Sequence, residues 1–236
     1  MSQEKVVWVV NYNRLEDFLK QCVAVGATSV AIRTDNDLRK AIPAAHQASL
    51  KVYGWRWPSS MHDPAMNEAA KVQALFAQGL DGYFVDPEMS EQDNIDWDKN
   101  GLEDLAEEFC SAISRAANGK PFGVTSHYLA KRAEPKLPWA SFFKYATVLL
   151  PQAYWRSTEG VIGHGIPADN YAVSIAAWTA AGGDPAKIVP MAGELGVSTA
   201  AEIAQYVKAA SAAPALHFYT YESKIRADVW AAVAKA

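Results

Sequence analysis

The stretch Leu80-Asp81-Gly82-Tyr83-Phe84-Val85 is largely apolar and runs straight into Asp86-Pro87-Glu88. Side chains alternate along an extended chain, so Gly82, Phe84, Asp86 and Glu88 share one face. On that face the Cα atoms of the two acids lie about 7 Å apart. Pro87 falls on the other face and, lacking an N–H, suits a strand that is ending. Carboxyl groups above an apolar floor are poorly solvated, which favours their neutral forms, and each raises the pKa of the other. Two acids held this way can divide a proton-transfer reaction, one keeping its proton while the other stays charged. Asp86 alone reads equally well as a helix cap or a solvated loop charge; the pair on one face favours the functional reading.

The elements that must position this pair follow from periodicity. Short β-rich runs cover residues 6–10, 29–34, 51–57, 82–88, 121–128, 147–155, 188–194 and 216–222, and Ala-rich helical patterns alternate with them. Between Leu102 and Ala116 the apolar residues Leu102, Leu105, Ala106, Phe109, Cys110, Ile113 and Ala116 recur at spacings of three and four, which marks a one-sided helix. Similar patterns occupy 15–25, 37–48, 66–77, 200–210 and 225–234; the stretches after the fifth and sixth runs are less regular. Ser198-Thr199 is placed as an N-terminal cap, and Gly26, Gly79 and Gly119 fall where helices end. Strand–helix alternation gives parallel strands, and eight such units fill the chain. The expectation is an α/β fold, a single (β/α)8 TIM barrel over residues 1–236. An open doubly wound sheet would carry a Gly-rich phosphate loop after its first strand, whereas this turn, VVNYNRLED, has no glycine.

In such a barrel chemistry sits at the C-terminal strand ends. Asn11, Arg33, Arg56, Trp57, Asp86, Glu88, His127, Gln152, Tyr154, Trp155, Glu194 and Glu222 all fall there. Aromatic residues gather at the same ends: Trp55 and Trp57, Tyr154 and Trp155, Tyr219 and Tyr221. Aromatic walls stack on the C–H faces of sugars while rim polar groups bind hydroxyls. The substrate-binding candidates are therefore Gln152, Trp155, Glu194, Trp57, Arg33, Asn11, Glu222 and Tyr219. Trp55 and Trp57 share a face, so both point into the barrel or both pack under helices. Trp155 lies past the expected core and is read as a substrate wall. Glu194 could pair with Glu88 for double displacement if the two stand about 5 Å apart; salt bridges to Arg33 or Arg56 are the alternative for Glu194 and Glu222. The long connections 90–101, acidic and holding Trp97, and 156–170, Gly-rich, are lids, cleft walls or plain solvated loops.

Composition narrows the rest. The chain has 236 residues and a net charge of -4, which gives no basic field for nucleic acid. No apolar stretch suits a membrane span, so no membrane partner is expected. MSQEKVVWVVNYN lacks the pattern of a signal peptide, which points to a cytoplasmic product as synthesised, with leaderless export left open. Cys22 and Cys110 lie in helical patterns and read as buried thiols. The five histidines, His46, His62, His127, His164 and His217, are scattered, so no metal is expected, and no motif calls for a cofactor. There is no Gly-x-Ser-x-Gly elbow, Walker loop, Cys-x-x-Cys or strand-end lysine.

Asp81-Gly82, three further residues and then Asp86-Pro87-Glu88 resemble the strand-four signature of family 18 glycoside hydrolases, the chitinases and their relatives; Gln152-Ala153-Tyr154 is similar to that family's Met-x-Tyr segment. An Asp-x-Glu on the fourth strand is also similar to family 25 lysozymes. The family 18 resemblance implies Glu88 as general acid, Asp86 orienting the substrate's 2-acetamido group, whose oxygen attacks the anomeric carbon, and Tyr154 hydrogen-bonding that group. It implies a carbohydrate partner, an N-acetylhexosamine glycan of chitin or peptidoglycan type. The sequence departs from the patterns at three positions: Phe84 stands where family 18 has another aspartate, Trp155 follows the tyrosine where an aspartate is usual, and Asn11 ends the first strand where family 25 has an aspartate. A catalytically inactive glycan-binding barrel, or a small-metabolite enzyme using Glu88 as base, are the alternatives.

Overall fold

The structure is a computed structural model and describes residues 3–157 and 160–236. Strand and helix alternate through β1 (Glu4–Val9), α1 (Leu15–Ala24), β2 (Ser29–Arg33), α2 (Leu38–Gln47), β3 (Lys51–Arg56), α3 (His62–Ala77), β4 (Gly82–Val85), α4 (Glu103–Ala117), β5 (Phe122–His127), α5 (Trp139–Tyr145) and β6 (Val148–Gln152). A two-stranded hairpin follows, β7 (Arg156–Ser157) with β8 (Gly160–Val161), then α6 (Pro167–Ala180), α7 (Ala200–Ala209), β9 (Ala215–Phe218) and α8 (Ala227–Ala234). The main sheet has seven strands in the order β6-β5-β4-β3-β2-β1-β9, all parallel, and it curls.

The sheet differs from the expected closed eight-stranded barrel at one place. Residues 188–194, the seventh β-rich run, do not form a strand. Isolated bridges join Ile188 to Leu149 and Met191 to Gln152 on one side, and Ala192 to Phe218 on the other. Proline is the physical reason: Pro190 has no N–H for a continuous ladder. Only Val189 and Met191 donate to the edge of β6, to Leu149 O at 2.7 Å and Pro151 O at 2.8 Å. The segment then transfers to β9, where Ala192 donates to His217 O and Tyr219 donates to Ala192 O, both at 2.9 Å. The fold is thus TIM-barrel-like, with its last gap bridged by single bonds.

Two apolar layers follow from the period of two along the strands. Val6 and Trp8 of β1, Tyr53 and Trp55 of β3, Phe84 of β4 and Leu150 of β6 fill the concave side of the sheet with Val189 and Met191. Val7, Val9, Val52, Tyr83, Val85 and Leu149 pack outward beneath the helices. The concave layer is dominated by rings: Trp8 stacks on Phe84 at 5.2 Å, and Tyr53 tilts against Phe84 at 5.0 Å. Such contacts are worth about 0.5–1.5 kcal/mol each beyond the area they bury. Trp55 and Trp57 meet edge to face at 5.3 Å on this concave side, which settles the choice left open by the sequence. Cys22 and Cys110 are buried free thiols. Thr199 caps α7 in a reciprocal box with Glu202. Among the described residues no helix is long and apolar enough to cross a membrane.

His217 is 3% exposed, and its Nδ1 accepts a 3.0 Å hydrogen bond from Trp8 Nε1. Burial pushes its pKa down from 6.5 to about 4, against a small opposing pull from Glu4. Unfolded chains therefore take up a proton below pH 6.5 that the folded protein refuses until about pH 4, so this group removes stability as pH falls through that window. Urea denaturation of His217→Gln beside wild type should show the difference moving in the variant's favour by roughly 3 kcal/mol from pH 7 to pH 4. Parallel pH profiles would mean that His217 titrates normally.

Candidate active site

β4 ends at Val85, and Asp86 stays in line by donating its backbone N–H to Arg56 O at 2.9 Å. Phe84 points to the concave side, and Asp86 is 6% exposed above it. Beyond Pro87, Glu88 is half-buried; its carbonyl accepts from Trp97 N–H at 3.0 Å. The two acids meet across the end of β6. Gln152 Nε2 donates to Asp86 Oδ1 at 2.9 Å and to Glu88 Oε1 at 2.7 Å, one hydrogen to each.

Burial drives Asp86 well above the ordinary carboxylate range, and the charges of Glu88 and Glu134 drive it further, against a hydrogen bond from Trp57. Burial also raises Glu88, against hydrogen bonds from Gln152 and Asp86. No Lys or Arg among the described residues forms an ion pair with Asp86, Glu88 or Glu134. The charge of each acid therefore bears on the other, and the two titrate as a coupled pair.

Aromatic rings wall the pair. Tyr154 stacks on Tyr219 at 5.4 Å with planes 13° apart, and burial raises both hydroxyls' pKa values. The ring of Tyr154 lies close against Gly193, where a Cβ would sit 2.6 Å from it. Trp57 carries the Arg33 guanidinium 5.1 Å from its ring centre. Asn11 is at the exposed rim, its Oδ1 accepting from Arg33 at 3.3 Å. Arg33 pairs with Asp35 at 2.7 Å, and Arg56 lies between Asp35 and Glu68 at 3.9 and 3.8 Å. Neither arginine neutralises Glu194 or Glu222. Glu194 is raised by burial and then by the charge of Glu222, which is exposed. A cavity of about 820 Å³ opens between α2 and α3, sharing Trp57 with this site.

Trp155 is not a substrate wall. It is fully buried in the outer layer and packs against Tyr206 of α7 at 6.0 Å. Lying past the expected core does not put it at the mouth: with Leu150 and Gln152 on the concave side, the period of two turns residue 155 outward, and Ala153 N–H bonds to Pro151 O and Tyr154 N–H to Gln152 O just before it. Tyr154 thus faces the carboxylates and Trp155 the outer layer. Trp97, in the long acidic connection, is also core: it packs on Phe142 at 5.1 Å and donates to Pro58 O at 2.9 Å. The Gly-rich connection includes Thr158 and Glu159, which lie outside the described residues, but its far end holds the site. Asn170, fully buried, donates to Tyr154 O at 2.7 Å and accepts from His164 N–H at 2.9 Å.

Two residues that sequence reasoning missed stand beside Glu88. Glu134 is 4% exposed; its Oε1 accepts from Met89 N–H at 2.9 Å. Ser126, fully buried on β5, lies 2.7 Å from Pro87 O and 2.8 Å from Glu134 Oε2. Ser126 sits on a predicted strand and could have been read as a candidate; Glu134 follows a short 3₁₀ turn where no periodicity applies. No group of three or more metal-ligating side chains stands among the described residues.

No family model matches the chain, and no curated protein is similar to it in sequence. Its fold resembles those of solved glycosidases. The alpha-galactosidase from Thermus thermophilus in complex with stachyose superposes with a TM-score of 0.63 at 11% identity, covering 100% of this chain and 65% of that one. The beta-galacturonidase from Eisenbergiella tayi bound to galacturonate gives 0.65 at 9% identity, over 93% of this chain and 43% of that one. The Group IV chitinase of Ostrinia furnacalis in complex with allosamidin gives 0.56 at 14% identity, over 80% and 65%. The chain thus spans less than two thirds of the length of each. At these identities the likeness is one of fold.

The double hydrogen bond from Gln152 has a measurable weight. Gln152→Ala should cost about 2 kcal/mol of unfolding free energy at pH 7 and less at pH 4, where both acids carry protons. Equal losses at the two pH values in urea denaturation would mean that the amide does not serve the carboxylates.

Proposed function

We propose that this chain is a glycoside hydrolase that cleaves an N-acetylhexosamine-containing glycan, chitin-like or of peptidoglycan type, with Glu88 as general acid. The observation that carries the reading is the Asp86–Glu88 pair: two carboxyls raised by burial, held by one amide, without a cation, beneath a Tyr154–Tyr219–Trp57 wall. A fold shared with glycosidases, a chitinase among them, supports it.

In this mechanism Glu88 gives its proton to the glycosidic oxygen as the C–O bond breaks. The acetamido oxygen of the substrate attacks the anomeric carbon; Asp86 and Tyr154 hold that group by hydrogen bonds, and water later opens the ring so formed. Tyr219 and Trp57 offer flat faces to the sugar. Glu88 is assigned with Asp86 rather than with Glu194, because Gln152 bridges the first pair while Glu194 faces Glu222.

Glu88→Gln should lower hydrolysis of chitin oligosaccharides or peptidoglycan by about 10²–10⁴-fold. Wild-type kcat/KM should fall as pH rises through the elevated pKa of the pair, since the acid must be protonated to act. Equal cleavage by wild type and variant removes Glu88 from the role, and no cleavage by wild type removes the activity. Phe84 favours a second reading, a glycan-binding protein without turnover: it is 2% exposed and stacked on Trp8, where the resembled motif carries an acid. Calorimetric binding of a chitin oligosaccharide that is returned intact would establish that reading.

A further inference from the structure

Hydrogen counting around Ser126 gives a result that the strand-four motif does not contain. Ser126 Oγ has one hydrogen, yet it lies 2.7 Å from Pro87 O and 2.8 Å from Glu134 Oε2. Pro87 O can only accept. Were Glu134 ionised, both neighbours would be acceptors, and one of these short contacts would set lone pairs against each other. Ser126 is fully buried, so water does not resolve the conflict. A proton on Glu134 Oε2 does: Glu134 donates to Ser126 Oγ, Ser126 donates to Pro87 O, and Glu134 Oε1 still accepts from Met89 N–H at 2.9 Å.

The two peptide groups so anchored are those on either side of Glu88. We infer that Glu134 is held as a neutral acid and is a positioning residue for Glu88, fixing through Ser126 and Met89 the backbone that carries it. Its surroundings agree. The charged groups that face it are Glu88, Asp86 and Asp98, all acidic, and among the described residues it forms no ion pair. Burial raises its pKa from 4.5 to about 7. The neutral form also spares the Asp86–Glu88 pair a further neighbouring charge. As a statement about catalysis the inference rests on the proposed function; as a statement about protonation it stands alone.

The amide in Glu134→Gln can donate to Ser126 Oγ and accept from Met89 N–H, reproducing the neutral acid, whereas Glu134→Ala removes both bonds. Glu134→Gln should keep kcat within about threefold of wild type. Glu134→Ala should lose about 10–100-fold in kcat with KM little changed, since Glu134 does not touch substrate. Two readouts need no turnover. In 13C-labelled protein the Glu134 carboxyl should be protonated at pH 6, and the Glu88 titration should move in Glu134→Ala but not in Glu134→Gln. In urea, wild type should lose ground to Glu134→Gln as pH rises from 5 to 8, because the folded protein holds a proton that the unfolded chain gives up. A Glu134 carboxyl ionised at pH 6, or a wild type that gains on Glu134→Gln with rising pH, overturns the inference. If wild type cleaves no glycan, the proposed function fails while the carboxyl signals and the urea series still decide the state of Glu134 and its hold on Glu88.

Discussion

The site depends on keeping carboxyl groups away from water and from cations at once. Asp86, Glu88 and Glu134 lie together, the first and last buried, and none forms an ion pair among the described residues. The nearby arginines are committed elsewhere: Arg33 to Asp35 and the face of Trp57, Arg56 between Asp35 and Glu68, and Arg156 to Glu202. A buried carboxylate without a counter-ion is costly, and the group answers by keeping its proton. Neutral donors suit that answer. The Gln152 amide and the Ser126 hydroxyl order the acids without supplying charge, so they pull the pKa values back down less than a guanidinium would. A cation in the same place would make the cluster more stable at neutral pH and a worse proton donor.

The aromatic floor makes this possible. Phe84 on β4 is clamped between Trp8 and Tyr53, and its face of the strand leads directly to Asp86. The irregular segment at 188–194 matters for the same reason. Where a regular eighth strand would present side chains at close spacing, Gly193 presents bare backbone, and Tyr154 lies against it. Tyr154 is held there by a buried amide, Asn170, that reaches its carbonyl from the start of α6. The departure from a closed barrel and the placement of the tyrosine are therefore parts of one arrangement.

The repeating architecture was legible because periodicity carries it. Alternation put Gly82, Phe84, Asp86 and Glu88 on one face and Trp55 with Trp57 on one face, and the spacing of three and four gave α4 nearly to the residue. Trp155 was misplaced because its position past the expected core was read as exposure, whereas the same alternation, counted on from Leu150 and Gln152, turns it outward. The run at 188–194 read as a strand from its composition; Pro190 prevents the ladder, and only the neighbouring edges reveal how much pairing survives. Glu134 and Asn170 carried no signal. Their partners, Met89 and Tyr154, lie 45 and 16 residues away in sequence, and a single acid or amide in a loop looks the same whether solvated or buried. Asp86 and Glu88 were found because their spacing is local and falls on a strand end.

The number of acids at the end of β4 bears on Phe84. In the motif that this strand resembles, a further aspartate stands at that position. Here an acid at 84 would face Trp8, Tyr53 and His217, and the Nδ1 of that histidine already accepts from Trp8. The third carboxyl of this protein comes instead from the β5 side, and its oxygens are occupied by Met89 N–H and Ser126. A carboxyl below Asp86 could exchange protons with it; Glu134, tied into a chain of bonds to the backbone, holds its proton in place. The exchangeable proton is then confined to Asp86 and Glu88, with the Gln152 amide touching both. Phe84, apolar and stacked on Trp8, leaves Glu88 rather than a further acid below it as the partner to which the Asp86 proton can pass.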